Sequence, residues 1–255
     1  MVVCTPFMST SLLAEVYRWL HSTQFSLLPG VCVVCRAATR RQLDLCRDCE
    51  HSFKRHLLPC PGCALPLPPG TVPNTRCGSC LLHDRGIHRI EAAFAWAEPV
   101  SGLISGYKYQ GQLQHGHVLG CLLAAQLANR YHSHELPEVL VPVPLHPARL
   151  RERGFNQSLL LARQLGAALA IPVATDLVAR VARTPPQQGL SAQERRRNLR
   201  RAFRVSQPQQ LQQFHSIALV DDVVTTMSTT RELARVLRRH GRDDLAIHVW
   251  ALARA

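Results

Sequence analysis

At 255 residues and 46% hydrophobic composition, the chain is long enough for one full α/β domain and a small module beside it. Lys and Arg number 30 against 17 Asp and Glu, a net charge of +13 that points to anionic partners such as nucleic acid, phosphorylated metabolites or a membrane surface, while aromatics at 5% leave few platforms for stacking bases. No stretch approaches the roughly 20 apolar residues of a membrane span, and the start lacks the basic segment and long apolar run of a secretory signal, so a cytoplasmic protein is expected.

Residues 1–30 read as a leader. Leu12, Leu13, Val16 and Leu20 share one helical face, and Pro29 and Gly30 close the segment. Residues 31–84 are rich in Cys, Pro and Gly and have too few apolar runs for an ordinary core. Eight of the ten cysteines fall there in four Cys-x-x-Cys pairs: Cys32 and Cys35, Cys46 and Cys49, Cys60 and Cys63, Cys77 and Cys80. Two intervening residues let both sulfurs of a pair face one tetrahedral ion from a tight turn, so two pairs complete a four-thiolate site. The spacing predicts a double zinc ribbon with two structural zinc ions, whose binding supplies folding free energy to a segment with little core. Redox thiols, an iron–sulfur cluster, disulfides and a crossed pairing of the four turns are the competing readings. Cys4 and Cys121 stand apart, and Cys121, in an apolar helical stretch, is expected to be a buried small side chain.

From about residue 85 to 255 the texture changes. "RIEAAFAWA", "EVLVPVP", "SIALV" and "LAIHVWAL" read as strands, and "VLGCLLAAQLANRY", "QSLLLARQLGAALA" and residues 229–240 as helices. The alternation predicts an α/β fold with a parallel sheet covered by helices. The strand over 217–220 ends at two adjacent acids, Asp221 and Asp222, where open α/β sheets place ligands. Thr225, Thr226, Ser228 and Thr229 form the turn into the next helix, with Thr229 and Glu232 as its capping box, Leu233, Val236 and Leu237 as its apolar face, and Gly241 as its end. A helix N-terminus suits a phosphate. Two carboxylates beside it suit vicinal hydroxyls or a magnesium-bound sugar, and the combination describes a ribose 5-phosphate.

This stretch resembles the phosphoribosyl pyrophosphate signature of type I phosphoribosyltransferases. With the cysteine pairs in front of it, the chain is similar to the ComF/GntX family, a double zinc ribbon followed by a phosphoribosyltransferase-type parallel sheet. "VPVPLHPARLRERGFNQS" (141–158) matches the family pattern most specifically at Arg153, Gly154, Phe155, Asn156 and Gln157. "RTPPQQGLSAQERRRNLRRAF" (183–203) matches at Gln187, Leu190, Arg195, Asn198 and Phe203, and "YKYQGQ" around Lys108 matches weakly.

The resemblance implies that Asp221 and Asp222 hold ribose hydroxyls and that Thr225, Thr226, Met227, Ser228 and Thr229 hold the 5-phosphate, with magnesium accompanying the ligand. The loop after Val143 takes the place of the pyrophosphate loop, and residues 183–201 that of a mobile catalytic loop. Arg149, Arg151, Arg153, Arg195, Arg196 and Arg197 are then candidates for pyrophosphate or nucleic-acid contacts; the plainer reading of the arginine run is a solvated helix face. Met227 departs from the family's glycine. Either the turn avoids positive φ and points Met227 outward, or its phosphate end is weakened.

The resemblance also implies a role in using imported DNA, with single-stranded DNA as a partner and DNA-uptake helicases or recombination proteins in the same pathway. Phe53, Phe155 and Trp96 are the candidate stacking residues. An active phosphoribosyltransferase of unknown acceptor and catalytic residues is the alternative, and a scaffold for metal or iron–sulfur assembly is another.

Overall fold

The computed structural model describes residues 29–83, 86–132, 135–182 and 202–255. The expected leader helix, Cys4 and the arginine run with Arg195, Arg196 and Arg197 lie outside the described residues. The chain opens with a short antiparallel pair, β1 (Gly30–Val31) and β2 (Ala38–Thr39), then helices α1 (Arg47–Ser52) and α2 (Gly78–Leu82). The α/β region follows as β3 (Arg89–Ala95), α3 (Val100–Gln110), α4 (Leu113–Arg130), β4 (Val139–Pro142), α5 (Pro147–Arg153), α6 (Gln157–Leu169), β5 (Val178–Arg180), β6 (Phe203–Val205), α7 (Pro208–Leu211), β7 (Ser216–Val224), α8 (Ser228–His240) and β8 (Ala246–Arg254). Among the described residues no helix is long and apolar enough to cross a membrane.

The fold is α/β around a four-stranded sheet in the order β3-β8-β7-β4, with every neighbouring pair parallel. Parallel sheets are covered on both faces, so their central strands read as nearly unbroken apolar runs. Ile217 through Val220 and Val249 through Ala253 are accordingly fully buried. One face packs against α8 and the β5–β6 ribbon through Leu233, Leu237, Val178 and Phe203; the other packs against α3, α4 and α6 through Ile104, Leu119, Leu123 and Leu161.

Both sheet edges are closed by chain. Along β3, the Ile90 amide donates to Pro61 O at 2.8 Å and the Ala95 amide to Lys54 O at 2.9 Å, so the cysteine-rich segment occupies the edge. Along β4, the Leu140 amide donates to Pro172 O and the Ala174 amide to Leu140 O, each at 2.9 Å.

The strands and helices read from residues 85–255 are all present, with two differences. The strand carrying the acid pair runs on to Val224 instead of ending at Val220. Residues 217–220 pair with β4, whereas β8 continues alongside β7 to Arg254, so the acids lie past the end of β4 but inside a paired strand. Helix α3 and the β5–β6 ribbon were not anticipated; in α3, Gly102 and Gly106 interrupt an otherwise regular stripe of Val100, Leu103, Ile104 and Tyr107.

The cysteine-rich segment packs against both faces of the sheet. Cys32, Val33, Leu45 and Phe53 belong to the apolar cluster on one sheet face, and Cys60, Cys63 and Cys80 to the cluster on the other. Phe53 meets Phe94 of β3 edge-on, ring centroids 5.3 Å apart. Buried Arg254 ties β8 to the segment by donating to Cys63 O at 2.7 Å and to Val224 O at 3.0 Å. Phe53→Ala is therefore expected to cost about 3–5 kcal/mol and to lower the melting temperature of the whole chain in a single transition. A separate early transition for the cysteine-rich segment, seen by calorimetry, is the contrary outcome.

Candidate functional site

The eight cysteines form two groups, Cys32–Cys35–Cys46–Cys49 and Cys60–Cys63–Cys77–Cys80, with the four sulfurs of each within 4.8 Å of one another. None of the eight is in a disulfide. Consecutive pairs therefore close each group, and the crossed pairing is excluded. Sγ of Cys35 and Cys46 lie 3.8 Å apart, as do those of Cys63 and Cys77. A tetrahedral ion with bonds of about 2.3 Å to sulfur sets its ligands about 3.8 Å apart, whereas a disulfide would hold them at about 2.05 Å. Backbone amides point at the sulfurs as well: Cys49 N to Cys46 Sγ at 3.4 Å and Cys77 N to Cys60 Sγ at 3.2 Å. Both groups can hold a metal ion, and their donor sets fit a double zinc ribbon. Cys121 is buried within α4, as its apolar surroundings predict, with Gln164 Nε2 donating to its sulfur at 3.2 Å.

Asp221 and Asp222 sit in β7 beyond the end of β4, with Asp222 only 2% exposed. Lys108, in the last turn of α3, reaches Asp222 Oδ2 with Nζ at 2.6 Å. Burial works against the charge of Asp222, but the Lys108 ammonium outweighs it and holds the carboxyl below its ordinary range. Asp221 goes the other way: burial, then the neighbouring Asp222 charge, push it up to about 7. Its Oδ1 accepts hydrogen bonds from Ser158 Oγ at 3.0 Å and from the Asp222 amide at 2.9 Å. Within the chain, the cation that meets the acid pair is the Lys108 side chain.

Lys108 belongs to a group that sequence reasoning left at the margin. Tyr107 donates its hydroxyl to Gln157 O at 2.8 Å and its ring lies against Phe155, centroids 5.9 Å apart. Asn156 caps α6 by accepting the Ser158 amide at 3.0 Å, and its Nδ2 donates to Val143 O at 3.1 Å, which ties the loop after β4 to the helix. Gly154, with φ of 82°, ends α5 in the left-handed conformation that lets this turn close. The Arg-Gly-Phe-Asn-Gln stretch and the Tyr-Lys-Tyr stretch therefore meet at the acid pair. The weak "YKYQGQ" match was the available signal.

Of the candidate arginines, Arg151 is exposed, Arg149 is half-buried, and Arg153 is half-buried and donates to Gln157 Oε1. All three lie on α5, beside the acid pair's frame. Among the stacking candidates, Phe53 is buried, Phe155 is half-buried under Tyr107, and Trp96 is 41% exposed.

The turn after β7 corrects two expectations. Met227 adopts φ 62° and ψ 9°, the left-handed conformation that a glycine would take, and it is only 3% exposed, within the cluster that holds Val224 and Leu233. The turn therefore keeps positive φ and points the side chain inward. Burial of the thioether among apolar neighbours offsets a backbone cost of about 1–2 kcal/mol. The predicted capping box is absent: α8 begins at Ser228, Thr229 is its second residue, and Glu232 pairs with Arg235. Met227 O accepts the Arg231 amide at 2.9 Å and Thr230 Oγ1 at 3.1 Å, while Thr226 and Ser228 share a hydroxyl hydrogen bond at 2.8 Å. Thr225 and Thr226 are exposed, and the first-turn amides of a helix have no intrahelical acceptor, so the turn presents its polar side outward.

No family model matches the chain. Competence protein F of Haemophilus influenzae is 37% identical over 227 residues, covering 88% of this chain and 96% of that protein. DNA utilization protein YhgH of Escherichia coli (strain K12) is 36% identical over 230 residues, 89% of this chain and 98% of that protein. The chain belongs to the ComF/GntX family. Competence protein ComFC of Streptococcus pneumoniae, a more distant member, is 26% identical over 206 residues, 79% of this chain and 84% of that protein.

Two outcomes follow from the geometry. A carboxyl raised from 3.8 to about 7 on folding binds its proton more tightly in the folded chain, so its contribution weakens the fold as pH rises across that window. Asp222, lowered, stabilises above its ordinary range and loses that only in acid. Asp221→Asn should therefore flatten the decline in stability between pH 4 and 7 relative to the parent, read as denaturant midpoint against pH, and should be the more stable protein at pH 8; an unchanged profile refutes the assignment. Met227→Gly relieves the left-handed backbone but empties a buried site, for a net loss of about 1–3 kcal/mol. Phosphoribosyl pyrophosphate binding by calorimetry should stay within about twofold; tenfold tighter binding would show that the methionine obstructs the turn.

Proposed function

We propose that this ComF/GntX family member acts in the cytoplasm in the uptake or use of DNA, binding single-stranded DNA on its basic surface and a phosphoribosyl-type ligand at Asp221 and Asp222. The role in DNA follows the names of its relatives, Competence protein F and DNA utilization protein YhgH. The observation that carries the ligand reading is the acid pair beside the turn over 225–229, whose Thr225 and Thr226 face outward. Carboxylates there meet sugar hydroxyls, and helix amides meet a phosphate. A net charge of +13 supports an anionic strand.

Zinc is the metal proposed for both cysteine groups. Four thiolates leave no open coordination position, so each ion is structural and no chemical step passes through it. Magnesium is proposed only as the counter-ion of a diphosphate ligand, because Lys108 already faces Asp222. An active phosphoribosyltransferase is the second reading, favoured by the placement of the two acids side by side with Ser158 Oγ donating to Asp221 Oδ1, where burial raises the Asp221 carboxyl above its ordinary range. Release of pyrophosphate from phosphoribosyl pyrophosphate on addition of a nucleobase would establish it.

Metal analysis should return two zinc ions per chain from a colourless protein; a brown chromophore with iron would favour the assembly scaffold. An oligodeoxynucleotide and phosphoribosyl pyrophosphate titrated separately and in competition test the two ligands. Strand binding should weaken steeply with salt. Replacing Arg195, Arg196 and Arg197 together by Ala should lower the salt slope by about 2, from about 0.7 per phosphate contact. Asp221→Asn with Asp222→Asn should abolish phosphoribosyl pyrophosphate binding and leave the salt slope intact. A triple-arginine variant with unchanged slope would move the strand site elsewhere.

A further inference from the structure

We infer that Tyr109 is the base-stacking platform by which a single strand is held at the mouth of the acid-pair site. The inference rests on the reading of this chain as a single-strand binder. Among the described residues large aromatic rings exposed to solvent are scarce, and the three that the sequence nominated are buried, half-buried under another ring, or, for Trp96, on the β3 side of the sheet. Tyr109 is 64% exposed. It sits in the last turn of α3, one residue after the lysine that faces Asp222 and two after the tyrosine that anchors to Gln157. Its backbone is thereby fixed on both counts, so the ring projects from a rigid support; stacking on a rigid ring costs little ordering entropy.

Two cations lie over the ring in cation–π contact, and the residue still exposes 64% of its surface. The Arg153 guanidinium lies 5.4 Å from the ring centroid, and Lys108 Nζ lies 6.0 Å from it. Arg153 is itself steadied by Gln157 Oε1. An exposed aromatic between fixed positive charges is the recurring arrangement for single strands: the ring takes a base face and the cations take backbone phosphates. The same Lys108 Nζ stands 2.6 Å from Asp222 Oδ2, so one ammonium lies between the ring and the acid pair. A base on Tyr109 would direct its sugar toward the carboxylates, with Arg153 placed for a neighbouring phosphate.

The test compares a thymidine oligonucleotide with an abasic strand of equal length, by fluorescence anisotropy, on the parent, Tyr109→Phe and Tyr109→Ala. Loss of one stacked base is expected to weaken thymidine-strand binding about 5- to 100-fold in Tyr109→Ala. Tyr109→Phe should bind as the parent does, and the abasic strand should bind all three alike. Zinc content and melting temperature equal to the parent's show that the variants are folded. If the parent binds the thymidine strand and Tyr109→Ala binds it equally well, the platform is elsewhere while the strand-binding reading stands. If Tyr109→Phe loses as much as Tyr109→Ala, the hydroxyl is what matters and stacking is refuted. If the parent binds neither strand, the strand-binding reading falls and the inference with it.

Discussion

Two adjacent carboxylates in a strand buried on both faces repel each other and resist carrying two charges, and the Lys108 ammonium 2.6 Å from Asp222 answers one of them. That ion pair sorts the acids into two states. Asp222 keeps its charge against a fixed cation, while Asp221 is raised toward neutrality and accepts from Ser158 and a backbone amide. Because α3 must bring Lys108 to β7, the end of α3 is pinned, and with it Tyr107 and Tyr109. Tyr107 then holds the turn between α5 and α6 through Gln157 and Phe155. The site's frame is thus assembled outward from one pair, and the pair is what makes the acids compatible with their burial.

The cysteine-rich segment illustrates a different economy of surface. A short chain rich in Pro and Gly has little apolar area of its own, yet its two four-cysteine groups take opposite sides of the β3 edge. Each lends a few residues to a different face of the sheet. Each four-cysteine group can hold a metal ion locally, while Phe53, Cys63 O and the amide bonds to β3 fasten the segment to the larger fold. The edge strand, which would otherwise offer free amides to another chain, is covered in the process.

Met227 shows that a turn can keep its backbone path without the residue that usually supplies it. Positive φ is costly for methionine, and the cost is accepted where the side chain can be buried in an adjoining apolar cluster. The polar side of the turn is then left to Thr225 and Thr226, which remain exposed. The substitution therefore moves the stability of the turn from backbone freedom to side-chain packing, and it leaves the helix N-terminus open.

The sequence by itself determined the sheet, because strands buried on both faces must be written as continuous apolar runs. It also determined the metal groups, because thiolate spacing encodes tetrahedral ligation locally. The position of the acid pair at the carboxyl end of the sheet was legible for the same reason: carboxylates interrupt an apolar run. Tertiary structure alone decided which cation answers Asp222, since Lys108 lies over a hundred positions away in sequence and its helix is masked by Gly102 and Gly106. It decided how the cysteine pairs combine, because two tight turns can meet only where the intervening chain lets them. It also decided where Met227 points, because backbone φ at one residue depends on whether a neighbouring core has room for the side chain, and no local pattern records that room.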